Sequence, residues 1–398
     1  KYNKYLEFVI TLGYYGNFVK DFLELAYPEY HFKFIWVDKY EGNGSSLAYS
    51  LLKAKDELNC PFMFNCCDSL TKDNLIIPDE NTLFVNNLKS GTLYSTINVF
   101  DKYYIKKINL KGEINFDYLY TGISFIKNFK EYWELLELNY NNNSNDIEIG
   151  DVEIIQKMLK KFKFKYIELN NWYDSGNLTE LSERIKEIYK SKYTVLDKNN
   201  ESICFFKDYV IKFFYDEQIC SNRIKRGVNL YPLTPKIIDY KNNFIKMELV
   251  NGNLMSDLKT HGEISNLLNW AKQNLWISTG VKQANFKEIC RSFYVDKTME
   301  RIKMILDITQ DNTIINNINI GTIYNLFNKI DFNILFTDDY THFHGDFILD
   351  NIIKTNESYK LLDWRQDFGG QLFNGDKYYD LAKLRHNIIF NHENIANN

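Results

Sequence analysis

Short, uninterrupted apolar runs separated by helical segments fill the first half of this 398-residue chain. Residues 6–12, 33–37 and 61–66 each have the length of a β-strand, and Ser45 or Ser46 can cap the helix that follows the second run. Strands that are apolar on both faces are typical of parallel sheets covered by helices. The pattern predicts an α/β domain with a mixed, mainly parallel, Rossmann-like sheet.

A different pattern begins near residue 193. Residues 193–196, 202–206 and 210–214 have the spacing of an antiparallel meander, with Lys212 in its third strand. Residues 244–250 add a strand, and the stretch from 256 to about 336 has mostly helical periodicity. Since the length also exceeds one hydrophobic core, we expect two domains, 1–190 and 191–398. The second is predicted to be α+β, with one lobe at about 191–252 and another at about 253–398.

Composition excludes several classes of partner. The net charge is −4 and no dense run of Lys and Arg occurs, so we expect no nucleic-acid partner. No stretch of 18 apolar residues occurs and residues 1–7 resemble neither a signal peptide nor an anchor, so we expect no membrane insertion and a cytoplasmic location. The six cysteines lack CxxC spacing, which argues against a zinc site or a structural disulfide.

One polar constellation near the C terminus has the parts that phosphoryl transfer needs. In the segment HGDFILDN, Asp346 and Asn351 lie five residues apart, and Asp363 follows twelve residues later. One carboxylate can deprotonate an attacking hydroxyl, while an amide oxygen and a second carboxylate can hold the magnesium that neutralises nucleotide phosphates. The spacing predicts a phosphotransferase site, whereas a His-Gly-Asp turn alone would equally suit a purely structural role.

These motifs resemble the aminoglycoside phosphotransferase and choline kinase family. Its HGDxxxxN and IDW-type segments match residues 344–351 and 361–365, and its D-L-A segment is similar to residues 375–382. The resemblance implies a two-lobed, protein-kinase-like fold that uses ATP and Mg²⁺. It makes Asp346 the catalytic base and Asn351 and Asp363 the magnesium ligands.

The same resemblance extends to the predicted first lobe. It implies that Lys212 reaches the nucleotide phosphates and that residues 247–250, including Met247 and Glu248, contact the adenine. The sequence does not reveal which glutamate pairs with Lys212.

The first domain resembles the sugar nucleotidyltransferases and phosphocholine cytidylyltransferases. The shared segments, in order, are V-x-x-G-Y at 9–14, a Gly-rich turn and helix at 42–51, Asp68 after a strand, T-G-I at 121–123 and W-x-D-x-G at 172–176. The resemblance implies that Asp68 and Asp174 hold Mg²⁺ and that Gly44 and Ser45 lie close to the base or the substrate. CTP or UTP would be the nucleotide substrate.

That family opens with a strand and a G-x-G-x-R loop that cradles the triphosphate, and the sequence here contains neither. Residues 6–12 align with the family's second strand, so we expect that this chain starts after the missing element. The alternative is a domain that has lost its activity.

The two resemblances together imply consecutive reactions. A kinase that phosphorylates a small alcohol, such as an amino alcohol, polyol or sugar, makes the phosphate ester that a nucleotidyltransferase can activate. We expect a bifunctional enzyme of bacterial surface polysaccharide synthesis. The alternatives are a kinase with a degenerate nucleotide-binding first domain, a non-catalytic scaffold, and an antibiotic-inactivating kinase, which the fused first domain disfavours. The acceptor, the choice between CTP and UTP and the oligomeric state stay open.

Overall fold

The computed structural model describes residues 6–88, 93–143, 149–176, 179, 181, 199–258, 260–278, 285–308, 313–336 and 340–390. These residues fall into two compact units, one within residues 1–196 and the other within residues 197–398. The helix expected at 178–189, apart from residues 179 and 181, and the strand expected at 193–196 lie outside the described residues.

The described part of the N-terminal unit alternates strands and helices. Its strands are β1 (Glu7–Leu12), β2 (His31–Trp36), β3 (Phe62–Asn65), β4 (Ser69–Thr71), β5 (Thr82–Asn86), β6 (Thr96–Val99), β7 (Ile105–Asn109), β8 (Tyr118–Ile126), β9 (Lys165–Glu168) and β10 (Trp172–Asp174). Its helices are α1 (Gly16–Ala26), α2 (Leu47–Ala54), α3 (Phe129–Asn142) and α4 (Val152–Met158). The Ser46 side chain caps α2 by accepting a hydrogen bond from the Tyr49 N–H.

The main sheet of this unit is mixed, as the sequence predicts, but it is not mainly parallel. Its order is β7-β6-β8-β5-β9, and β3 also pairs with β8. Strand β8 runs antiparallel to β3, β5 and β6, and β5–β9 is the parallel pair of this sheet. Strands β1 and β2 form a separate parallel pair. The prediction was wrong because an antiparallel strand buried on both faces has the same continuous apolar pattern as a parallel one.

Helices α3 and α4 cover this sheet. Trp133 and Leu136 on α3 and Ile154 and Ile155 on α4 are buried in one cluster with sheet residues such as Leu83. Each large apolar side chain buried in this way stabilises the fold by about 1.5–3 kcal/mol. Asp68, which directly precedes β4, and Asp174, at the end of β10, lie at a separate two-stranded sheet that β4 and β10 form.

The C-terminal unit begins with antiparallel strands and continues into helices and short hairpins. Its described strands are β11 (Glu201–Phe205), β12 (Tyr209–Phe214), β13 (Ile237–Lys241), β14 (Phe244–Glu248), β15 (Asn253–Leu254), β16 (Ile314–Ile315), β17 (Ile318–Asn319), β18 (Tyr340–His342), β19 (Ile352–Lys354), β20 (Tyr359–Leu361) and β21 (Asn374–Asp376). Its described helices are α5 (Glu217–Leu230), α6 (His261–Asn274), α7 (Phe286–Arg291), α8 (Lys297–Ile308), α9 (Ile323–Asn328) and α10 (Lys377–Ile389), with a π-helical segment, Ser292–Asp296, joining α7 to α8.

A four-stranded sheet with the order β11-β12-β14-β13 carries helix α5 in the connection between β12 and β13. Asp216 caps α5 by accepting from the Ile219 N–H. The helix buries Cys220, Arg223 and Gly227, which recur every three or four residues along one face. This face therefore meets the rest of the unit with both apolar and charged groups.

Two antiparallel pairs frame the polar loops of the same unit. Strand β18 pairs with β21, and β19 pairs with β20. The loop between β18 and β19 contains Asp346 and Asn351, and Asp363 follows β20. Within the described ranges, no helix combines the length and the apolar character that a membrane crossing requires.

Candidate active sites

A buried aspartate fixes the backbone of the loop that carries Asp346. Asp380 on α10 accepts from the N–H groups of His344, at 2.7 Å, and Gly345, at 2.6 Å. The Trp276 indole donates to the same carboxylate at 3.0 Å. Burial raises the pKa of Asp380 to about 6, although these donors oppose the shift. The segment 375–382, recognised from sequence, thus positions the loop.

His344 links the loop to the segment that precedes Asp363. Its Nε2 lies 2.8 Å from the Leu362 carbonyl oxygen, and its Nδ1 accepts from the Asp346 N–H at 3.2 Å. Burial lowers the pKa of His344 to about 4, so the ring is neutral at pH 7. A neutral ring protonated on Nε2 satisfies both contacts.

The structure brings Asp346, Asn351 and Asp363 into one neighbourhood. The Asn351 side-chain amide donates to the Asp346 backbone carbonyl at 3.0 Å and to its carboxylate at 3.1 Å. The Leu362 N–H, next to Asp363, donates to the Asn351 carbonyl oxygen at 2.7 Å. A fourth residue, Lys383 on α10, lies 2.9 Å from the Asp346 carboxylate.

Asp363 meets two cations from the four-stranded sheet and its helix. Both Lys212 on β12 and Arg223 on α5 donate to its carboxylate. Glu201 on β11 lies 3.3 Å from Lys212 and 3.4 Å from Arg223. Burial lowers the pKa of Lys212, while Asp363 acts against that shift. All four side chains are mostly buried, so the site concentrates charge where water screens it weakly.

A second arginine of α5, Arg226, binds the backbone of the β18–β19 loop. It is fully buried and donates to the backbone carbonyls of Phe343, His344 and Arg365. Burial lowers its pKa to about 9, a value at which the guanidinium is still charged at pH 7. The sequence reasoning missed both arginines, although a helix with two arginines three residues apart after the Lys212 strand was a usable signal.

The residues expected to contact adenine lie at the end of β14. Met247 is buried in the apolar cluster, and the Glu248 carboxylate accepts from the Lys236 N–H at 3.0 Å. The Leu249 N–H donates to the Asp208 carbonyl at 3.1 Å. Their role in binding adenine stays a prediction.

In the N-terminal unit, Asp68 and Asp174 converge on one point. Strands β4 and β10 pair antiparallel, with Asp174 opposite Ser69, and the Ser175 N–H donates to the Asp68 carbonyl at 2.8 Å. A Cβ placed on Gly176 would lie 3.1 Å from Asp174 Oδ1 and 3.2 Å from Asp68 Oδ2, so the two carboxylates face the same space.

One further side chain holds this carboxylate pair. The Tyr94 hydroxyl donates to Asp174 Oδ2 at 2.7 Å. Over the described ranges, no group of three or more His, Cys, Asp or Glu is arranged to hold a metal ion. Phosphate and water oxygens would have to complete a cation site here, as is usual for Mg²⁺.

Gly44 and Ser45 form a tight turn ahead of α2. Gly44 has a φ of 86°, and its carbonyl accepts from the Tyr140 hydroxyl at 3.1 Å. The Ser45 hydroxyl and N–H both bond the Gly42 carbonyl, at 2.6 and 3.1 Å. Their proximity to a base or substrate stays a prediction.

Comparison of the sequence with protein-family models and with curated proteins found no match. Solved structures do resemble the N-terminal region. The CTP:phosphocholine cytidylyltransferase of Streptococcus pneumoniae matches over 46% of this chain and 78% of its own, at 18% identity and a TM-score of 0.39. The inositol-1-phosphate CTP transferase of T. maritima matches over 48% and 79%, at 18% identity and a TM-score of 0.36. A nucleoside-diphosphate-sugar pyrophosphorylase of Vibrio cholerae matches over 46% and 81%, at 14% identity and a TM-score of 0.38. At these identities and TM-scores the likeness carries no conclusion about what this chain does.

Proposed function

We propose that the C-terminal unit transfers the γ-phosphoryl group of ATP to a hydroxyl of a small molecule, with the help of Mg²⁺. The observation that supports this most strongly is the hydrogen-bonded neighbourhood of Asp346, Asn351 and Asp363 beside Lys212. Catalysis of this reaction depends on positioning the reactants and on stabilising charge. It needs a base, two oxygen ligands for the metal ion and a cation that binds the phosphates.

Asp346 is the base in this proposal. The Asn351 amide and the Lys383 ammonium hold its carboxylate in place, and Asp380 fixes the backbone on which it stands. The carboxylate orients the acceptor hydroxyl and takes its proton as the oxygen attacks.

Asn351 and Asp363 suit a magnesium ion, because amide and carboxylate oxygens are the hard ligands that this ion takes. Asp363 already draws two cationic side chains, Lys212 and Arg223, which indicates a site that favours positive charge. When bound there, Mg²⁺ would neutralise the nucleotide phosphates. Lys212, held between Asp363 and Glu201, would contact those phosphates directly.

Magnesium-dependent ADP release with a panel of alcohols tests this proposal. The panel contains amino alcohols, polyols, sugars and their anionic derivatives. We expect Asp363→Asn to lower kcat by about 10²–10³ and to raise the Mg²⁺ concentration that half-maximal activity needs, because one metal ligand is lost. Asp350→Asn is the matched control, since Asp350 is an exposed carboxylate of the same loop that accepts from the Asn387 side chain on α10. Equal activity of Asp363→Asn and wild type would exclude the metal assignment.

The Asp68–Asp174 pair favours a second activity, in the N-terminal unit. We infer that this unit transfers a nucleotidyl group from CTP or UTP to a phosphate ester. The attacking phosphate and the triphosphate are both anions, and two converging carboxylates could hold a magnesium ion that screens their repulsion. The order of matching segments at 9–14, 42–51, 121–123 and 172–176 supports the same inference.

Pyrophosphate release by the full-length protein tests this second activity. CTP and UTP are each combined with phosphorylated alcohols. We expect Asp68→Asn and Asp174→Asn each to lower the rate by at least about 100-fold. Asp79→Asn changes a strongly exposed carboxylate of the same unit and should leave the rate unchanged. A rate independent of both Asp68 and Asp174 would refute the assignment.

Together these proposals describe a bifunctional enzyme whose first product is the second unit's substrate, as in the activation of a group for surface polysaccharide synthesis. If only ADP release is found, the N-terminal unit is a degenerate nucleotide-binding domain. If neither reaction is found, the chain is a binding scaffold.

A further inference from the structure

Four basic side chains lie near one another, and one of them, Lys383, contacts Asp346. This basic cluster consists of Lys297 and Arg301 on α8, Arg365 after β20 and Lys383 on α10. Lys297 and Arg301 are four residues apart and share a helix face. Three separate stretches of the chain therefore bring positive charge to the same place.

The basic cluster is held in place by contacts with one aromatic ring and with the β18–β19 loop, which contains Asp346. Lys383 lies 2.9 Å from the Asp346 carboxylate, and the Arg365 N–H donates to the His344 carbonyl at 3.0 Å. The Phe293 ring, in the π-helical segment before α8, has Lys297 Nζ at 4.0 Å and Arg365 Cζ at 5.0 Å from its centre. Two cations on one ring are held close together despite their repulsion.

The charge of the cluster is not balanced by its own carboxylates. Burial, together with the charges of Arg365, Arg301 and Lys383, lowers the pKa of Lys297 to about 7, while Asp367 acts against this shift. Among the described residues, the Asp346 carboxylate pairs with Lys383 and the Asp367 carboxylate acts on Lys297. Like charges crowded in this way favour the binding of an anion.

The cluster is distinct from the residues assigned to the nucleotide. Lys212 lies in the four-stranded sheet. Val210 and Met247 of that sheet belong to one hydrophobic cluster. Phe293, which supports Lys297 and Arg365, packs instead with Phe343 and Phe368 in a separate aromatic cluster.

We propose that the acceptor alcohol is itself an anion, whose carboxylate or phosphate group binds the basic cluster while its hydroxyl faces Asp346. This deepens the phosphotransferase activity proposed above and rests on it. The acceptor oxygen forms the new bond to the γ-phosphorus, the bond from that phosphorus to the β–γ bridging oxygen breaks, and its electron pair leaves with ADP. The hydroxyl proton goes to Asp346.

Calorimetric binding of matched alcohol pairs, with Mg²⁺ and ADP present, tests the inference without turnover. The pairs are glycerol with glycerol 3-phosphate or glycerate, and glucose with glucose 6-phosphate or gluconate, with choline and ethanolamine as cationic probes. We expect at least one anionic member to bind about tenfold or more tightly than its neutral partner, and the two anion types to separate phosphate from carboxylate recognition. Lys297→Gln should remove at least about tenfold of that preference. Lys303→Gln, on the same helix but turned away from the Lys297–Arg301 face, should leave it intact.

Three results would overturn the inference. They are tighter binding of a neutral or cationic alcohol than of every anionic one, an unchanged anion preference in Lys297→Gln, and a Lys297→Gln effect confined to the KM for ATP. Two further results distinguish this inference from the proposed phosphotransferase activity. If wild type phosphorylates choline and the reaction depends on Asp346, the anionic acceptor is wrong but the phosphotransferase activity stands. If an anion binds in a manner that depends on Lys297 but no alcohol causes ADP release, the anion site stands and the phosphotransferase activity is wrong.

Discussion

The Asp363 carboxylate accepts from Lys212 and Arg223, and its backbone has a φ of 52°, in the left-handed region. A non-glycine residue in this region costs about 1–3 kcal/mol and persists only where its surroundings hold it. The two cations supply that hold, because a buried carboxylate with charged donors is strongly fixed in place. The strain points to function at Asp363, in agreement with the proposed metal site.

Replacing Lys212 tests the division of labour between these two cations. Lys212→Met should lower kcat/KM for ATP by about 100-fold, because a donor to the phosphates is lost. The fold should persist, since Arg223 still pairs with Asp363. Lys207→Met, in the exposed β11–β12 turn, is the control and should behave as wild type. Unchanged kinetics of Lys212→Met would contradict the assignment.

The basic cluster predicts a pH dependence of acceptor binding. Lys297 has a pKa of about 7, so it is cationic below that pH and neutral above it. The other charged groups that act on Lys297 are Arg365, Arg301, Lys383 and Asp367. Binding of a carboxylate alcohol should therefore weaken by about threefold to tenfold between pH 6 and pH 8.5.

Lys297→Arg is the control for this pH profile, because an arginine keeps its charge throughout the range. Its binding of the same alcohol should be nearly flat with pH. Tighter binding by wild type at high pH would have the wrong sign for the account.

The residues that could be predicted from sequence are those whose spacing is local. Asp346, Asn351 and Asp363 could be proposed as site residues because their intervals in the sequence match a phosphotransferase motif. The partner of Lys212 was not found, although Glu201 lies two residues before Ile203, which pairs with Lys212 across the strands. Residues two apart share a strand face, but the register that makes this useful appears only in the fold.

Among the secondary-structure elements, helix α5 connects the four-stranded sheet to the segment that carries Asp363. Its Gly227 leaves room for Trp364, directly after Asp363, and the Trp364 indole donates to the Arg223 carbonyl at 2.8 Å. A Cβ on Gly227 would approach the Trp364 ring to 2.4 Å and Ile237 Cδ1 to 2.9 Å. The glycine therefore sets the distance between α5 and the Asp363 segment.

Substitution of this glycine gives a direct test. Gly227→Ala should destabilise the C-terminal unit by about 1–3 kcal/mol through overpacking and should also lower phosphotransferase activity. Gly262→Ala is the matched control, because it lies in helix α6 with no atom within 4 Å of its new Cβ. That variant should be neutral or more stable by up to about 1 kcal/mol. Equal unfolding free energies of the two variants would contradict the packing argument.

The elements themselves were more predictable than their directions. Strands β1, β2 and β3 and helix α2 lie where the apolar runs and caps place them. Strand β8 nevertheless runs against three neighbours, and no local signal distinguishes this from the parallel arrangement. Direction depends on long-range pairing, which short apolar runs do not encode.

At the scale of the whole molecule, each unit carries its own pair of proposed magnesium ligands. The two proposed reactions use separate residues, so their losses should be separable. The Asp346→Asn variant should lose most of its phosphorylation activity but still convert a phosphate ester that is added to it. The Asp174→Asn variant should form that ester from the alcohol and accumulate it.

A mixture of the two variants should restore the nucleotide-linked product, because the phosphate ester can diffuse from one protein to the other. Product analysis by chromatography after incubation with ATP, the nucleoside triphosphate and the alcohol measures this. Failure of the mixture, with each half-reaction intact, would contradict a freely released intermediate.

In the proposed reaction, the γ-phosphoryl group is transferred to the oxygen of the acceptor alcohol, and Asp346 takes the proton of that hydroxyl. Transfer of label from γ-labelled ATP to the best alcohol of the panel, at saturating Mg²⁺, measures this step directly. We predict that Asp346→Asn lowers the rate by about 10²–10⁴. Asp350→Asn, which changes an exposed carboxylate of the same loop, should transfer label as wild type does. Transfer by Asp346→Asn at the wild-type rate would contradict the account.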